Sequence, residues 1–192
     1  MNSLTALTNN EVISVLFHLK RLAGRSASTR QNLLLFRLAT CCGLRASEIC
    51  ALNVGDILDG PSPRVLVRCG KGSKRREIPL YWDIETLECL VSYVAWRRRN
   101  GAVGGDPLLL NRRGGRMSRQ RVWERFSRVC RKWAGRHAPT HAGRHTWIST
   151  ALRSRSIVAV RDAAGHSSIA TTNRYAHDLE ADQTPGSLFA SS

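Results

Sequence analysis

Apolar residues recur at helical spacing over most of the chain and alternate strictly only near its centre. Val12, Ile13, Val15, Leu16 and Leu19 form a helical stripe, and Thr8 and Glu11 precede it in the T-x-x-E order of a capping box. A second stripe runs from about Thr29 through Leu33, Leu34, Leu35, Leu38 and Ala39 to Gly43, a good C-terminal stop. A short third helix, Ala46 to Leu52, follows almost at once. Arg45 therefore sits in a sharp junction between two helices, where a side chain can leave the core and face a ligand.

The period changes after Asn53. Gly60-Pro61-Ser62-Pro63 is a turn, and Arg64 to Cys69 and Arg76 to Leu80 alternate as strands. Between them Gly70-Lys71-Gly72-Ser73-Lys74 reads as a β-hairpin loop. The apolar run Leu108-Leu109-Leu110 is expected to join the sheet as a further strand. Asp83 caps a helix through Leu87, Leu90, Val91, Val94 and Ala95 that closes in Arg97-Arg98-Arg99. Ser118 caps the next, with Val122, Phe126 and Val129 inward and Arg119, Arg121, Arg125, Arg128 and Arg131 mostly outward. Pro139-Thr140 opens a helix carrying His141, Arg144, Trp147, Ile148 and Ala151. Ile157 to Ala164 is a short helix stopped by Gly165, and Ser168 to His177 is the last. The expected fold is α+β and mainly helical: one domain over residues 1–177 with a small antiparallel sheet of about three strands, then a polar tail over 178–192.

Charge narrows the field of partners. Lysine and arginine number 30 against 14 acidic residues, a formal net charge of +16. Such a surplus attracts polyanions, nucleic acid first among them. Only four of these cations are lysines (Lys20, Lys71, Lys74 and Lys132), and arginine is the better bidentate phosphate ligand. Six cysteines show no C-x-x-C pair, and several lie on apolar stretches as buried thiols do, which points to a reduced, cytoplasmic setting. No basic segment precedes an apolar run at the N-terminus and no apolar stretch approaches 18 residues, so neither secretion nor a membrane span is expected.

Several polar residues then stand out. His141 and Arg144 share a helix face at i, i+3, although so arginine-rich a chain produces such a pair by chance. His141 and His145, at i, i+4, are an alternative metal pair, but no further ligand or H-E-x-x-H pattern accompanies them, and no metal is expected. His166 follows a helix-ending glycine, so its position is fixed just outside the core; a capping histidine would read the same way. Tyr175 is flanked by Arg174 and His177 rather than by the apolar neighbours of a buried structural tyrosine. Arg45 could form a surface ion pair with Glu48, which could also cap the short helix. Lys71 could be a solvated turn residue, yet two of the four lysines lie in its loop. Lysine, unlike arginine, can release a proton near neutral pH once its pKa is lowered.

These segments resemble, in this order, the tyrosine recombinase or phage integrase family. The matching stretches are G-L-R-A-S-E-I at residues 43–49, G-K-G-S-K-R-R-E-I-P-L at 70–80, H-A-G-R-H-T at 141–146 and G-H-S-S-I-A-T-T-N-R-Y-A-H at 165–177. The resemblance implies that Arg45, Lys71, His141, Arg144, His166 and Tyr175 correspond to the catalytic set. It implies site-specific DNA cleavage and rejoining through a 3′-phosphotyrosyl link, without metal, ATP or other cofactor. Double-stranded DNA would be the partner, bound as a homotetramer on two sites, in a bacterial, phage or mobile-element setting. Lys74, Arg75, Arg119, Gln120 and Arg121 are the expected DNA contacts. Two departures are expected to loosen packing at the site: Gly143 in place of the usual apolar residue, commonly leucine, and Ala163-Ala164 before the Gly-His pair. The chain starts where the catalytic domain would, like the short fimbrial phase-variation recombinases or a fragment of a longer integrase. A type IB topoisomerase and a non-catalytic DNA-binding regulator with the same fold are the rival readings.

Overall fold

In the computed structural model, which describes residues 6–68, 75–173 and 175, the centre is a helix whose second half, from Leu33 to Thr40, is buried all round. α1 (Asn9–Ala23) begins at the expected capping box, with the Glu11 N–H donating to Thr8 Oγ1 (3.2 Å) and the Thr8 N–H to Glu11 Oε2 (2.7 Å). α2 (Ala27–Thr40) starts a little earlier than the apolar stripe suggests, because Ser26 caps it and Thr29 returns the bond. Leu34, Leu35, Phe36, Leu38 and Ala39 of α2 are fully buried. α1 packs on α2, as do α3 (Ala46–Ala51), α4 (Ile84–Arg99), α5 (Arg119–Trp133) and α6 (Thr140–Leu152). A helix segment buried on all faces belongs at the middle of a bundle.

One charge is buried with it. Arg37 is 1% exposed, yet its guanidinium donates to Thr86 Oγ1 (2.9 Å) and to Glu85 Oε2 (2.6 Å) at the start of α4. Lys20 of α1 reaches the same Glu85 oxygen at 2.8 Å, so one carboxylate ties three helices together.

The sheet is antiparallel and three-stranded, in the order β1 (Ile57–Leu58), β2 (Arg64–Val67), β3 (Arg76–Pro79). Val65 faces both Ile57 and Ile78, and Val67 faces Arg76. Alternation buries Val65, Val67 and Ile78 and places Arg76 on the inward face with Ile78. The third strand is therefore Ile57–Leu58, and Leu108-Leu109-Leu110 is not part of the sheet. That segment makes only isolated bridges at its two ends; the Leu108 N–H donates to the Leu52 carbonyl (2.9 Å), the Leu109 carbonyl accepts the Met117 N–H (3.2 Å), and side chains add further bonds. Arg97 Nη1 donates to the Pro107 and Leu108 carbonyls (2.7 and 3.0 Å), and the Leu110 N–H donates to Gln31 Oε1 (2.8 Å).

α5 is amphipathic as expected: Val122, Phe126 and Val129 point inward, and Arg119, Arg121, Arg128 and Arg131 are exposed. α7 (Ile157–Ala164) packs on α6 and β3 and stops at Gly165, whose φ of 67° satisfies the left-handed cap. Residues 169–173 turn helically again and lead to Tyr175. Among the described residues no helix is long and apolar enough to cross a membrane.

Candidate active site

The junction Gly43-Leu44-Arg45 is a device for turning one arginine outward. Gly43 has φ 64°, and a Cβ there would stand 2.2 Å from the Trp147 ring of α6, so neither conformation nor space admits a side chain. Leu44 drops into the core with no exposed surface. Arg45 then becomes the N-cap of α3, and its guanidinium stays partly exposed beside the Glu48 carboxylate. Glu48 performs both of the roles weighed for it. Its Oε2 accepts the Arg45 N–H (2.8 Å) and its Oε1 accepts Arg45 Nη1 (2.9 Å).

Glu48 has a second partner that sequence reasoning missed. Arg76 crosses from β3 and grips both carboxylate oxygens at 2.8 Å, while its Nε donates to the Ala163 carbonyl at 2.9 Å. Burial raises the Glu48 pKa, but the Arg76 hydrogen bonds and charge, with the Arg45 N–H and charge, bring it below the ordinary carboxylate value. The carboxylate stays ionised. A charged residue on the inward, alternating face of a strand was the one signal that could have marked Arg76.

Arg144 lies opposite, 1% exposed on α6. Its Nη1 donates to the Gly43 carbonyl (2.7 Å) and its Nη2 to the Ala164 carbonyl (2.6 Å), which fixes the plane of the guanidinium. Burial first, then the neighbouring Arg45 charge, push its pKa down to about 9, with Glu48 opposing them. It remains charged at neutral pH, held in mutual repulsion with Arg45. An anion placed between the two relieves that repulsion.

The nucleophile candidate is in the same pocket. The Tyr175 hydroxyl and His145 Nε2 are 3.2 Å apart, in a hydrogen bond whose direction the His145 tautomer sets. The His145 ring also packs edge-on against His141, 4.6 Å between centroids. His166 lies nearly parallel to Tyr175 at 6.4 Å, and its Nδ1 is bonded to Thr172 Oγ1 at 2.8 Å. His141 is exposed, and its pKa is lowered by burial of the ring and then by the Arg144 and Arg45 charges. His145, weighed above as half of a metal pair, is thus a neighbour of the phenol. Among the described residues no group of three or more His, Cys, Asp or Glu side chains could hold a metal ion.

Arg45, His141, Arg144, His166 and Tyr175 are therefore gathered in one place; Lys71 and Lys74 lie outside the described residues. Arg75 is exposed and pairs with Glu77 at 3.6 Å. Arg119, Gln120 and Arg121 are exposed on the first turn of α5, where Gln120 and Arg121 both touch Glu124. The packing expectation at Gly143 is reversed. A Cβ there would stand 3.0 Å from Phe126 Cζ, 3.1 Å from Thr40 Cγ2 and 3.2 Å from Ala39 Cβ. Glycine lets α6 press against α2 and α5, so the contact is tighter and not looser. Ala163 and Ala164 are likewise buried, and their carbonyls hold Arg76 and Arg144.

A model of the Phage integrase family matches residues 5–182. The chain belongs to the phage integrase family. Tyrosine recombinase XerC of Neisseria meningitidis serogroup B is 37% identical over 148 residues, 73% of this chain and 46% of that protein. Tyrosine recombinase XerC of Chromobacterium violaceum is 32% identical over 164 residues, 82% of this chain and 51% of that protein. The chain thus spans about half the length of the curated relatives it matches. Among solved structures, the XerA recombinase superposes with a TM-score of 0.71 at 26% identity, covering 94% of this chain and 65% of that one. XerH bound to its palindromic difH substrate, in a post-cleavage complex, gives 0.72 at 24% identity, covering 93% and 52%, and shares the fold.

Proposed function

We propose that this integrase-family chain cleaves and rejoins double-stranded DNA at specific sites through a covalent phosphotyrosine. The observation that carries the reading is the meeting of Tyr175 with two guanidiniums and three imidazoles in one electropositive pocket. A phenol is only about one part in a thousand ionised at pH 7, so the pocket must assist its attack. Tyr175 Oη attacks the scissile phosphorus, its proton passes to a neighbouring imidazole, and the bond from phosphorus to the 5′ oxygen breaks. The products are a 3′-phosphotyrosyl enzyme and a 5′-hydroxyl, the leaving oxygen being protonated by Lys71. Arg45 and Arg144 hold the non-bridging oxygens, whose charge grows in the transition state, and His166 donates to the same phosphate. Removing one such preorganised donor costs on the order of 10²–10³-fold in rate. A 5′-hydroxyl from a second duplex then reverses the step. No energy source is consumed, because the ester link conserves the phosphodiester energy. The active assembly is a tetramer on two DNA sites.

The test is a duplex nicked next to the scissile bond, so that the freed 5′ fragment diffuses away. The wild-type chain accumulates a denaturant-resistant protein–DNA adduct on its own site, and Tyr175→Phe accumulates none. A wild type that binds this DNA without forming an adduct would be a DNA-binding regulator, and the proposal fails.

A further inference from the structure

A second cationic pocket lies at the end of α2 remote from the Gly43-Leu44-Arg45 junction. It opens between the first turn of α2 and the outer face of α5, encloses about 110 Å³, and is walled by Ser28, Asn32, Arg112, Arg121, Arg125 and Arg128. Arg121, Arg125 and Arg128 recur at i, i+4, i+7 and so form one stripe on α5. Ser28 lies 12 residues along α2 from Thr40, the end that packs against α6; at 1.5 Å per residue that is about 18 Å.

The charge here is unbalanced and part of it is buried. Arg121 pairs with Glu124 at 2.8 Å, but among the described residues Arg112, Arg125 and Arg128 have no carboxylate within salt-bridge reach. Arg125 spends one nitrogen on Ser28 Oγ, while its Nη1 is buried with no hydrogen-bond partner. Burial, then Arg121, Arg128 and Arg112, push the Arg125 pKa below its ordinary value. A buried donor without a partner is costly, and a buried guanidinium among three others more so. Asn32 lines the same cavity with a buried, unpartnered Oδ1, and a half-turn of its amide presents the NH₂ instead. The first turn of α2 adds the positive end of a helix dipole. The unpaired Arg125 nitrogen and the surplus positive charge are both relieved by a tetrahedral oxyanion. The volume is several times the roughly 30 Å³ that water occupies, enough for a phosphate group.

We infer that this α2–α5 pocket is a phosphate-binding site separate from the cleavage pocket. Arg125 and Arg128 are its principal ligands, and its occupant is a backbone phosphodiester of DNA or a free phosphate-bearing molecule.

Inorganic phosphate is the probe, and Arg45→Ala is the background, because that change cripples anion binding in the cleavage pocket. In this background phosphate raises the Tm by about 2–4 °C over chloride at equal ionic strength. Adding Arg128→Gln, at an exposed position on α5, abolishes the rise, as does Arg125→Gln where it folds. Duplex binding by the otherwise wild-type chain then names the occupant. If Arg128→Gln lowers the slope of log K against log [NaCl] by about one, the pocket holds a DNA phosphate. If the slope is unchanged while the phosphate response is lost, the occupant is a free phosphate compound; either result supports the site. The inference is overturned if phosphate gives no rise in the Arg45→Ala background, or the same rise with and without Arg128. Adduct formation by Tyr175 is a separate readout, so either proposal can fail alone.

Discussion

Glu48 organises the candidate site by holding Arg45 and Arg76, and its environment predicts its behaviour in acid. Its folded carboxyl lies below the ordinary 4.5, so on acidification the unfolded chain takes up the proton first. The stability contributed is complete above about pH 4.5 and is lost as pH falls through the folded value. Glu48→Gln leaves Arg76 buried against a neutral amide. It should cost about 3–5 kcal/mol at neutral pH in urea denaturation and flatten the acid limb of the stability profile. His141 acts in the same direction, in a higher pH range. Its pKa is below 6.5, so the unfolded chain again protonates first, and this group subtracts stability as pH falls below that value. Its ring resonances in the DNA-free protein should titrate below pH 6.5. Gly43→Ala forces both a left-handed alanine and a methyl into the Trp147 ring. Strain and overpacking, each about 1–3 kcal/mol, should together lower the thermal midpoint by several degrees. Much of this was legible residue by residue: Arg45, His141, Arg144, His166 and Tyr175 stand out by composition and context, and they meet. Arg76 did not stand out because it is one of many arginines, and only the strand's inward register reveals it. The partner of His145 was equally hidden, since Tyr175 lies 30 residues away in sequence.

At the level of elements, the α2–α6 contact depends on a missing side chain. Gly143→Leu places a branched side chain where even Cβ is 3.0–3.2 Å from Phe126, Thr40 and Ala39. Overpacking of about 1–3 kcal/mol follows, measured as a lower urea midpoint at unchanged m-value. The loss should appear although leucine is the better helix former. Helix boundaries were readable because capping is local: Thr8, Asp83 and Ser118 at beginnings and Gly165 at an end act on backbone within one turn of themselves. The start of α2 was missed by a few residues because Ser26 caps it ahead of the first apolar position. The third strand was misplaced for a different reason. Ile57–Leu58 is too short to show alternation, while Leu108-Leu109-Leu110 is apolar because it is buried under Tyr93 and Arg97. Burial without a ladder looks the same in one dimension as burial within one.

Across the whole molecule the balance of +16 is a statement about association. If about 6–10 phosphates are contacted, duplex affinity should fall about 10³–10⁵-fold between 50 and 200 mM salt, which fluorescence anisotropy on a labelled duplex measures. A shallow salt response would place most arginines in structural roles, as Arg37 and Arg97 already are. The path of the chain through the site has a further consequence. Arg144 draws together the carbonyls of Gly43 and Ala164, 101 and 20 residues from it in sequence. During synthesis on the ribosome the early helices and Gly43 can settle while Arg144 and Ala164 have yet to emerge. A nascent chain therefore holds no assembled pocket around Tyr175 until residues 141–175 have all been released.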